Sequence, residues 1–95
     1  MSEITINGKT VVLRDGPFRA SEFHAAFTAI MTTELQTGDF AQDTRPLMAF
    51  VESWEFKGAP DKTGAWGNLN YIREYVPIRN AIMDIVNAEF DDQKN

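Results

Sequence analysis

Apolar and β-branched positions at the start of the chain form two short runs, at residues 4–6 and 10–14. Asn7 and Gly8 lie between the runs, and this pair tolerates the positive φ angles of a tight hairpin turn. The pattern predicts an N-terminal β-hairpin within residues 1–16. Because two strands alone are only marginally stable in water, the apolar face of the hairpin must pack on the rest of the chain.

Helical spacing of apolar positions begins after the hairpin. Apolar residues recur at intervals of three, four and seven positions at Phe23, Ala26, Phe27, Ile30, Met31 and Leu35. This spacing predicts an amphipathic helix over residues 22–36. Ser21 can cap the N-terminus of this helix, and Gly38 follows its last turn as a C-terminal signal.

A second helix is predicted after a short connection. Asp43 or Thr44 can cap it, and Pro46 falls in the first turn, where proline is tolerated. The apolar positions that follow are again spaced at three, four and seven, at Leu47, Phe50, Val51 and Trp54. The pattern predicts that this helix ends near Glu55 and turns these residues inward.

Glycine and proline divide the C-terminal part of the chain. Residues 57–68 read KGAPDKTGAWGN and predict a loop. Asn68 can cap a short helix that follows, and Pro77 interrupts that helix and begins a final one. Residues 91–95 are polar and are expected to fray. The short helix is predicted to carry Leu69, Ile72, Tyr75 and Val76.

The predicted fold class is a mostly helical α+β domain, with an N-terminal β-hairpin followed by three or four short helices. The 95 residues, of which 43% are hydrophobic, suffice for one domain with a modest core. The predicted organisation is a hairpin over residues 1–16, a helical part over residues 21–90 and a tail over residues 91–95. The chain shows neither a secretory signal nor a run of ~18 apolar residues, which predicts a cytoplasmic protein that does not enter a membrane.

Charge and composition argue against several chemistries. The net charge is −5, and the nine basic residues are scattered with no two adjacent, so nucleic-acid binding is not expected. The chain has no cysteine, and His24 is its one histidine, which excludes the usual zinc sites. Glu22 lies two positions from His24, and such residues do not face each other on a helix. We therefore predict no catalytic residues, no metal and no cofactor.

Large apolar side chains concentrate between residues 54 and 69. Trp54, Phe56, Trp66 and Leu69 are the candidate protein-binding residues, because aromatic side chains dominate the energetics of protein interfaces. Two alternatives remain open. Trp54 completes the apolar face of the predicted second helix and can be a core residue. Trp66 can fold over the same core as a lid.

One stretch of the sequence resembles a known family. A segment ending in Val-x-x-Trp-x-Phe is followed by Gly-x-Pro-Asp, a Trp, a Leu and a closing apolar helix. The residues concerned are Val51, Trp54, Phe56, Gly58, Pro60, Asp61, Trp66 and Leu69. This arrangement over residues 47–90 resembles the small tail-assembly chaperones of long-tailed bacteriophages.

The resemblance implies a protein of the host-cell cytoplasm that binds the tape-measure protein and tail-tube subunits, and that can form homo-oligomers along its client. Such a chaperone shields the apolar stripes of a helical client. Two other classes fit a small acidic chain without an active site. One is a phage or bacterial inhibitor of a host protein, and the other is a structural connector component of the virion.

Overall fold

The first part of the predicted helical region is described only in part. Residues 20, 21, 23 and 24 are helical, and the backbone N–H of Phe23 donates to the carbonyl of Arg19 at 3.0 Å. Most of the helix predicted over residues 22–36, and its predicted end at Gly38, lie outside the described residues. The computed structural model describes residues 2–14, 16–21, 23–24 and 40–94.

A three-stranded antiparallel sheet forms one side of the described structure. Strands β1 (Ser2–Ile6), β2 (Lys9–Leu13) and β3 (Val51–Trp54) pair in the order β1-β2-β3. The turn between the first two strands has φ angles of 51° at Asn7 and 79° at Gly8. Positive φ at both central residues suits the right-handed twist of a two-residue hairpin, and it explains why Asn and Gly occupy these positions.

The predicted second helix is shorter than expected. Helix α1 (Phe40–Met48) ends seven residues before Glu55, which the apolar spacing had predicted as its end. The backbone N–H of Phe50 donates to the carbonyl of Leu47 at 3.1 Å, and this turn reverses the chain. The prediction of a continuous helix to Glu55 is wrong, because residues 51–54 form β3.

Pairing with β2 explains why this segment is a strand. The N–H of Glu55 donates to the carbonyl of Thr10 at 3.1 Å, and the N–H of Arg14 donates to the carbonyl of Phe50 at 2.9 Å. These bonds satisfy backbone groups of β2 that face away from β1, which a helix could not do. The predicted fold class, a mostly helical domain in which a two-stranded hairpin is followed by three or four helices, is therefore wrong. Besides the helical residues 20, 21, 23 and 24, the described residues form a three-stranded sheet, three α-helices and one π-helical turn.

The glycine-rich segment predicted as a loop contains a short helix. Helix α2 (Thr63–Gly67) lies inside residues 57–68. Its first turn is closed by a 3.0 Å hydrogen bond from the N–H of Ala65 to the carbonyl of Lys62. A helix of five residues has too few turns to show periodicity, so composition alone indicated a loop.

Asn70, rather than Asn68, caps the next element. The Asn70 Oδ1 accepts a 2.8 Å hydrogen bond from the backbone N–H of Arg73. Asn68 instead follows α2, and its backbone N–H donates to carbonyls of that helix. In the sequence, Asn68 and Asn70 are equally good candidates for the N-cap of this element. Because α2 extends to Gly67, Asn68 is its C-terminal cap and Asn70 is the N-cap of the next element.

A π-helical turn (Tyr71–Tyr75) leads directly into the long helix α3 (Val76–Lys94). The backbone N–H of Val76 donates to the carbonyl of Tyr71, five residues earlier. Pro77 has no N–H with which to continue α-helical bonding into this turn, so the wider π pattern falls where the sequence predicts an interruption. Residues 91–94, whose composition predicts fraying, continue α3.

A hydrophobic core lies between the sheet and the helices. Its fully buried members come from the N-terminal hairpin and from the helices that follow. The apolar face of the hairpin therefore packs against α1 and α3, as expected for two strands that are only marginally stable alone. Thr44 is buried with this core, and its hydroxyl lies 3.4 Å from the hydroxyl of Tyr75. The core comprises Ile6, Val11, Leu13, Leu47, Phe50, Val51, Phe56, Trp66, Tyr75, Ile78, Ile82 and Val86.

Candidate protein-contact surface

The aromatic residues that the sequence singles out lie together, but mostly inside the protein. Trp66 is 1% exposed and Phe56 is 9% exposed. Trp54 is half-buried, with its ring centroid 5.2 Å from that of Trp66 and 5.5 Å from that of Phe56. Leu69 is also half-buried and packs against the core. In the folded chain these four side chains are therefore buried or half-buried at the core.

Both indole groups are held by the loop that follows β3. The Nε1 of Trp54 donates to the carbonyl of Gly58, and the Nε1 of Trp66 donates to the carbonyl of Pro60, each at 2.8 Å. A half-buried or buried indole N–H needs such a partner, because an unsatisfied polar group costs free energy. The loop thus satisfies the two tryptophans and fixes them in the core.

The large hydrophobic residues that remain exposed lie elsewhere. Phe40 is 38% exposed, Tyr71 is 61% exposed and Ile72 is 71% exposed. We call these three residues the apolar patch. The π-helical turn and the cap at Asn70 place Ile72 in solvent.

Tyr75 connects two members of the apolar patch to the core. Its ring stacks on that of Tyr71 with centroids 5.3 Å apart and 18° between the ring planes. It also contacts Phe40, with centroids 5.2 Å apart. The Tyr75 ring also packs edge-on against the ring of Trp66, with the two centroids 6.1 Å apart. The patch residues Phe40 and Tyr71 therefore rest on a buried aromatic support.

Glu74 fixes the turn that carries Tyr71 and Ile72 of the apolar patch. Its Oε1 accepts the backbone N–H of Asn70 at 2.7 Å, and its Oε2 accepts the side-chain amide of Asn7 at 2.7 Å. These hydrogen bonds, with the nearby charge of Lys9, lower the pKa of the Glu74 carboxyl below its ordinary value, with the backbone N–H of Asn70 as the largest cause. The ionised form of Glu74 holds the first turn closed and ties it to the hairpin.

Among the described side chains there is little that suggests a catalytic or metal-binding site. His24 is exposed, and Glu22 lies outside the described residues. Among residues 2–14, 16–21, 23–24 and 40–94 there is no cluster of three histidine, cysteine or acidic side chains that could hold a metal ion. Over the same ranges, every helix is too short or too polar to cross a membrane.

Comparison with known proteins identifies no relative of this chain. No family model, no curated protein sequence and no solved structure matches it.

Sequence reasoning did not single out Phe40, Tyr71 or Ile72 as exposed residues. One local signal could have found the last two. Asn is a preferred N-cap residue, and the side chain of Asn70 accepts the backbone N–H of Arg73 in the first turn of the element that follows it. A helix that starts at residue 70 has its first turn at residues 71 and 72, ahead of the buried Tyr75.

Proposed function

We propose that this chain is a non-enzymatic protein-binding domain and that the apolar patch is its contact surface. The observation that carries the proposal is the exposure of Tyr71 and Ile72, at 61% and 71%, on a turn fixed by side-chain hydrogen bonds. Exposed neighbouring apolar side chains on a small domain are typical of interaction sites. Tyr71 offers a large ring that loses little conformational entropy on binding, because it already stacks on Tyr75.

The partner that we propose is an amphipathic helical segment of a phage tape-measure protein, with tail-tube subunits as further partners. The resemblance to tail-assembly chaperones supports this choice. Its motif residues Trp54, Phe56 and Trp66 are largely inside the fold, so we attribute the motif to a shared scaffold and the binding to the patch. The net charge of −5 favours a client with basic residues beside its apolar stripe.

A pull-down with paired variants tests the proposal. The bait is this chain, and the prey are the tape-measure and tail-tube proteins encoded beside it. Tyr71→Ser with Ile72→Ser should abolish capture, whereas Tyr71→Phe with Ile72→Val keeps the apolar surface and should bind as the parent does. Both pairs should leave thermal stability nearly unchanged, because the two side chains are exposed.

Each outcome of this experiment has a distinct meaning. Capture that survives the serine pair removes the patch from the proposal. Failure of the parent chain to capture either protein removes the chaperone function. The stoichiometry of a captured complex separates a chaperone from an inhibitor, because a chaperone coats a long client in many copies and an inhibitor binds one target discretely. A connector is recognised by a different measurement, its presence in purified virions.

A further inference from the structure

The outer edge of β1 presents open backbone groups. On β2, the N–H and C=O of Thr10 bond to Glu55 and therefore point away from β1. Thr10 pairs with Thr5, so the N–H and C=O of Thr5 point away from β2 to the outside of the sheet. The two-residue alternation of a strand gives the backbone of Glu3 the same outward direction.

This edge has few of the features that usually prevent pairing. No hydrogen bond from the described residues reaches the outward backbone groups of Glu3 or Thr5, and both residues are exposed. Strand β1 contains no proline and no bulge, and its protection against edge pairing is limited to its length of five residues and the one charged side chain, Glu3. The irregularity of the sheet lies on its other side, between Val12 and Leu13 in the pairing with β3.

We propose that β1 is a self-association edge, at which β1 of a second copy pairs antiparallel across a two-fold axis at Ile4. Glu3 of each copy then lies opposite Thr5 of the other. Both residues direct their backbone groups outward, so the two pairs exchange four N–H···O=C hydrogen bonds. The result is a continuous six-stranded sheet with an isologous interface.

The side chains of β1 are complementary to themselves in this register. On the exposed face the Glu3 carboxylate meets the Thr5 hydroxyl of the second copy, which can donate to it. On the core face the half-buried Ile4 meets its own symmetry mate and gains apolar cover.

Neighbouring registers are less favourable. An axis at Glu3 places two carboxylates opposite each other. An axis at Thr5 pairs Glu3 with Asn7, which has a φ of 51° and is bonded to Glu74. The extended backbone that strand pairing needs is therefore missing at Asn7. Because of these two conflicts, we place the two-fold axis at Ile4. The strand that pairs with β1 is then β1 of a second copy.

Sedimentation across a concentration series, with amide exchange of the same samples, tests the pairing. The dimer should be weak, because two five-residue strands bury less surface than a standard interface. Exchange at the Glu3 and Thr5 amides should slow as concentration rises. The Ile4 amide, which faces β2, is an internal control and should exchange at a rate independent of concentration. Thr5→Pro removes the outward N–H without breaking a bond to β2, and it should abolish the dimer while the melting temperature is kept.

Charge variants test the register. Thr5→Glu places a carboxylate opposite Glu3 of the second copy twice per dimer and should raise the dissociation constant on the order of tenfold. Thr5→Lys should lower it by a similar factor, and added salt should reduce both effects. Ser53→Glu is the matched control, since it adds the same charge at an exposed position on β3 and should leave the dissociation constant unchanged.

Several results would overturn the inference. The first is that the chain stays monomeric up to about millimolar concentration. The second is that Thr5→Pro leaves the dissociation constant of the dimer unchanged. The third is that the amides of Glu3 and Thr5 are protected from exchange only when a client protein is added. The serine pair at Tyr71 and Ile72 should leave the dimer intact. A dimer that is lost with those substitutions would assign self-association to the apolar patch instead.

Discussion

The side-chain amide of Asn7 donates a 2.7 Å hydrogen bond to the Oε2 of Glu74, and this bond joins the turn of the hairpin to the π-helical turn. The two residues are 67 positions apart in the chain. Glu74 uses its other oxygen to hold the N–H of Asn70, so one carboxylate fixes both the start of the π-helical turn and its distance from the sheet. Tyr71 and Ile72 of the apolar patch are carried by that turn, and their position is therefore coupled to the hairpin.

Removing this bond should loosen the patch without unfolding the protein. Asn7→Gly keeps a residue that accepts positive φ and deletes the amide donor. We expect the free energy of unfolding in urea to fall by about 1 kcal/mol or less, because the bond is exposed to solvent. Amide exchange at residues 71 and 72 should become faster. The control is the same substitution in a Glu74→Gln background, where its cost should shrink, and an equal cost in both backgrounds would contradict the coupling.

The stability of the fold should depend on pH through two exposed carboxylates. The pKa of Glu74 is lowered chiefly by the backbone N–H of Asn70, and the pKa of Glu55 is lowered chiefly by the backbone N–H of Thr10. Each folded pKa lies below the unfolded value near 4.5. Their stabilising contribution is therefore fully present above that value and is lost as the pH falls through the folded pKa.

The corresponding experiment compares the parent chain with the double variant Glu55→Gln, Glu74→Gln in urea unfolding across an acidic pH series. The parent should be more stable at about pH 6, and the difference between the two proteins should narrow as the pH falls below about 4.5. A difference that stays constant down to about pH 3 would show that ionisation of these carboxylates does not stabilise the fold.

Trp66 should behave as a core residue. Its side chain is 1% exposed and lies beside Trp54 and Tyr75, so Trp66→Ala should cost about 3–5 kcal/mol in the free energy of unfolding. Such a loss can approach the full stability of a domain of this size, so Trp66→Phe is the companion variant. It keeps a ring, loses the hydrogen bond to Pro60 and should melt at an intermediate temperature. A melting temperature unchanged by Trp66→Ala, with binding lost, would make Trp66 a contact residue.

The hairpin shows which part of the fold can be derived from local sequence. Asn7 and Gly8 supply the positive φ angles of a two-residue turn, and the flanking β-branched residues suit strands, so local signals agree with the structure there. The second predicted helix agrees only in part, because α1 already includes Phe40, so Asp43 and Thr44 lie within it rather than at its cap, and of the predicted apolar positions only Leu47 precedes its end at Met48. Beyond that residue, local signals fit two structures equally well.

Residues 51–54 illustrate why the rest could not be derived. Val51 and Trp54 continue the helical spacing of Leu47, but they are also good strand formers, and the choice depends on the open edge of β2. The same dependence affects the candidate site. The burial of Trp66 depends on where α2 ends, and the exposure of Ile72 depends on the bond between Asn7 and Glu74. Neither the helix end nor the bond can be recognised from a short stretch of the sequence.

Two glycines with positive φ offer a matched pair that separates backbone strain from crowding. Gly58 has a φ of 87°, and a Cβ added there would lie 2.8 Å from the Cβ of Ala65. Gly8 has a φ of 79°, and a Cβ added there would meet no atom within 4 Å. Gly8→Ala should therefore cost the strain of a left-handed residue, about 1–2 kcal/mol in the free energy of unfolding.

Gly58→Ala should cost that strain and a further ~1–3 kcal/mol, because Ala65 is buried and cannot move without shifting its neighbour Trp66, which is also buried. The substitution should also change the fluorescence of the tryptophans, since the Gly58 carbonyl accepts the indole N–H of Trp54. The reverse change at the contact point, Ala65→Gly, should recover the crowding part of the loss when combined with Gly58→Ala. Equal costs for the two alanine substitutions in urea unfolding would show that the loop after β3 yields freely and does not clamp the two indoles.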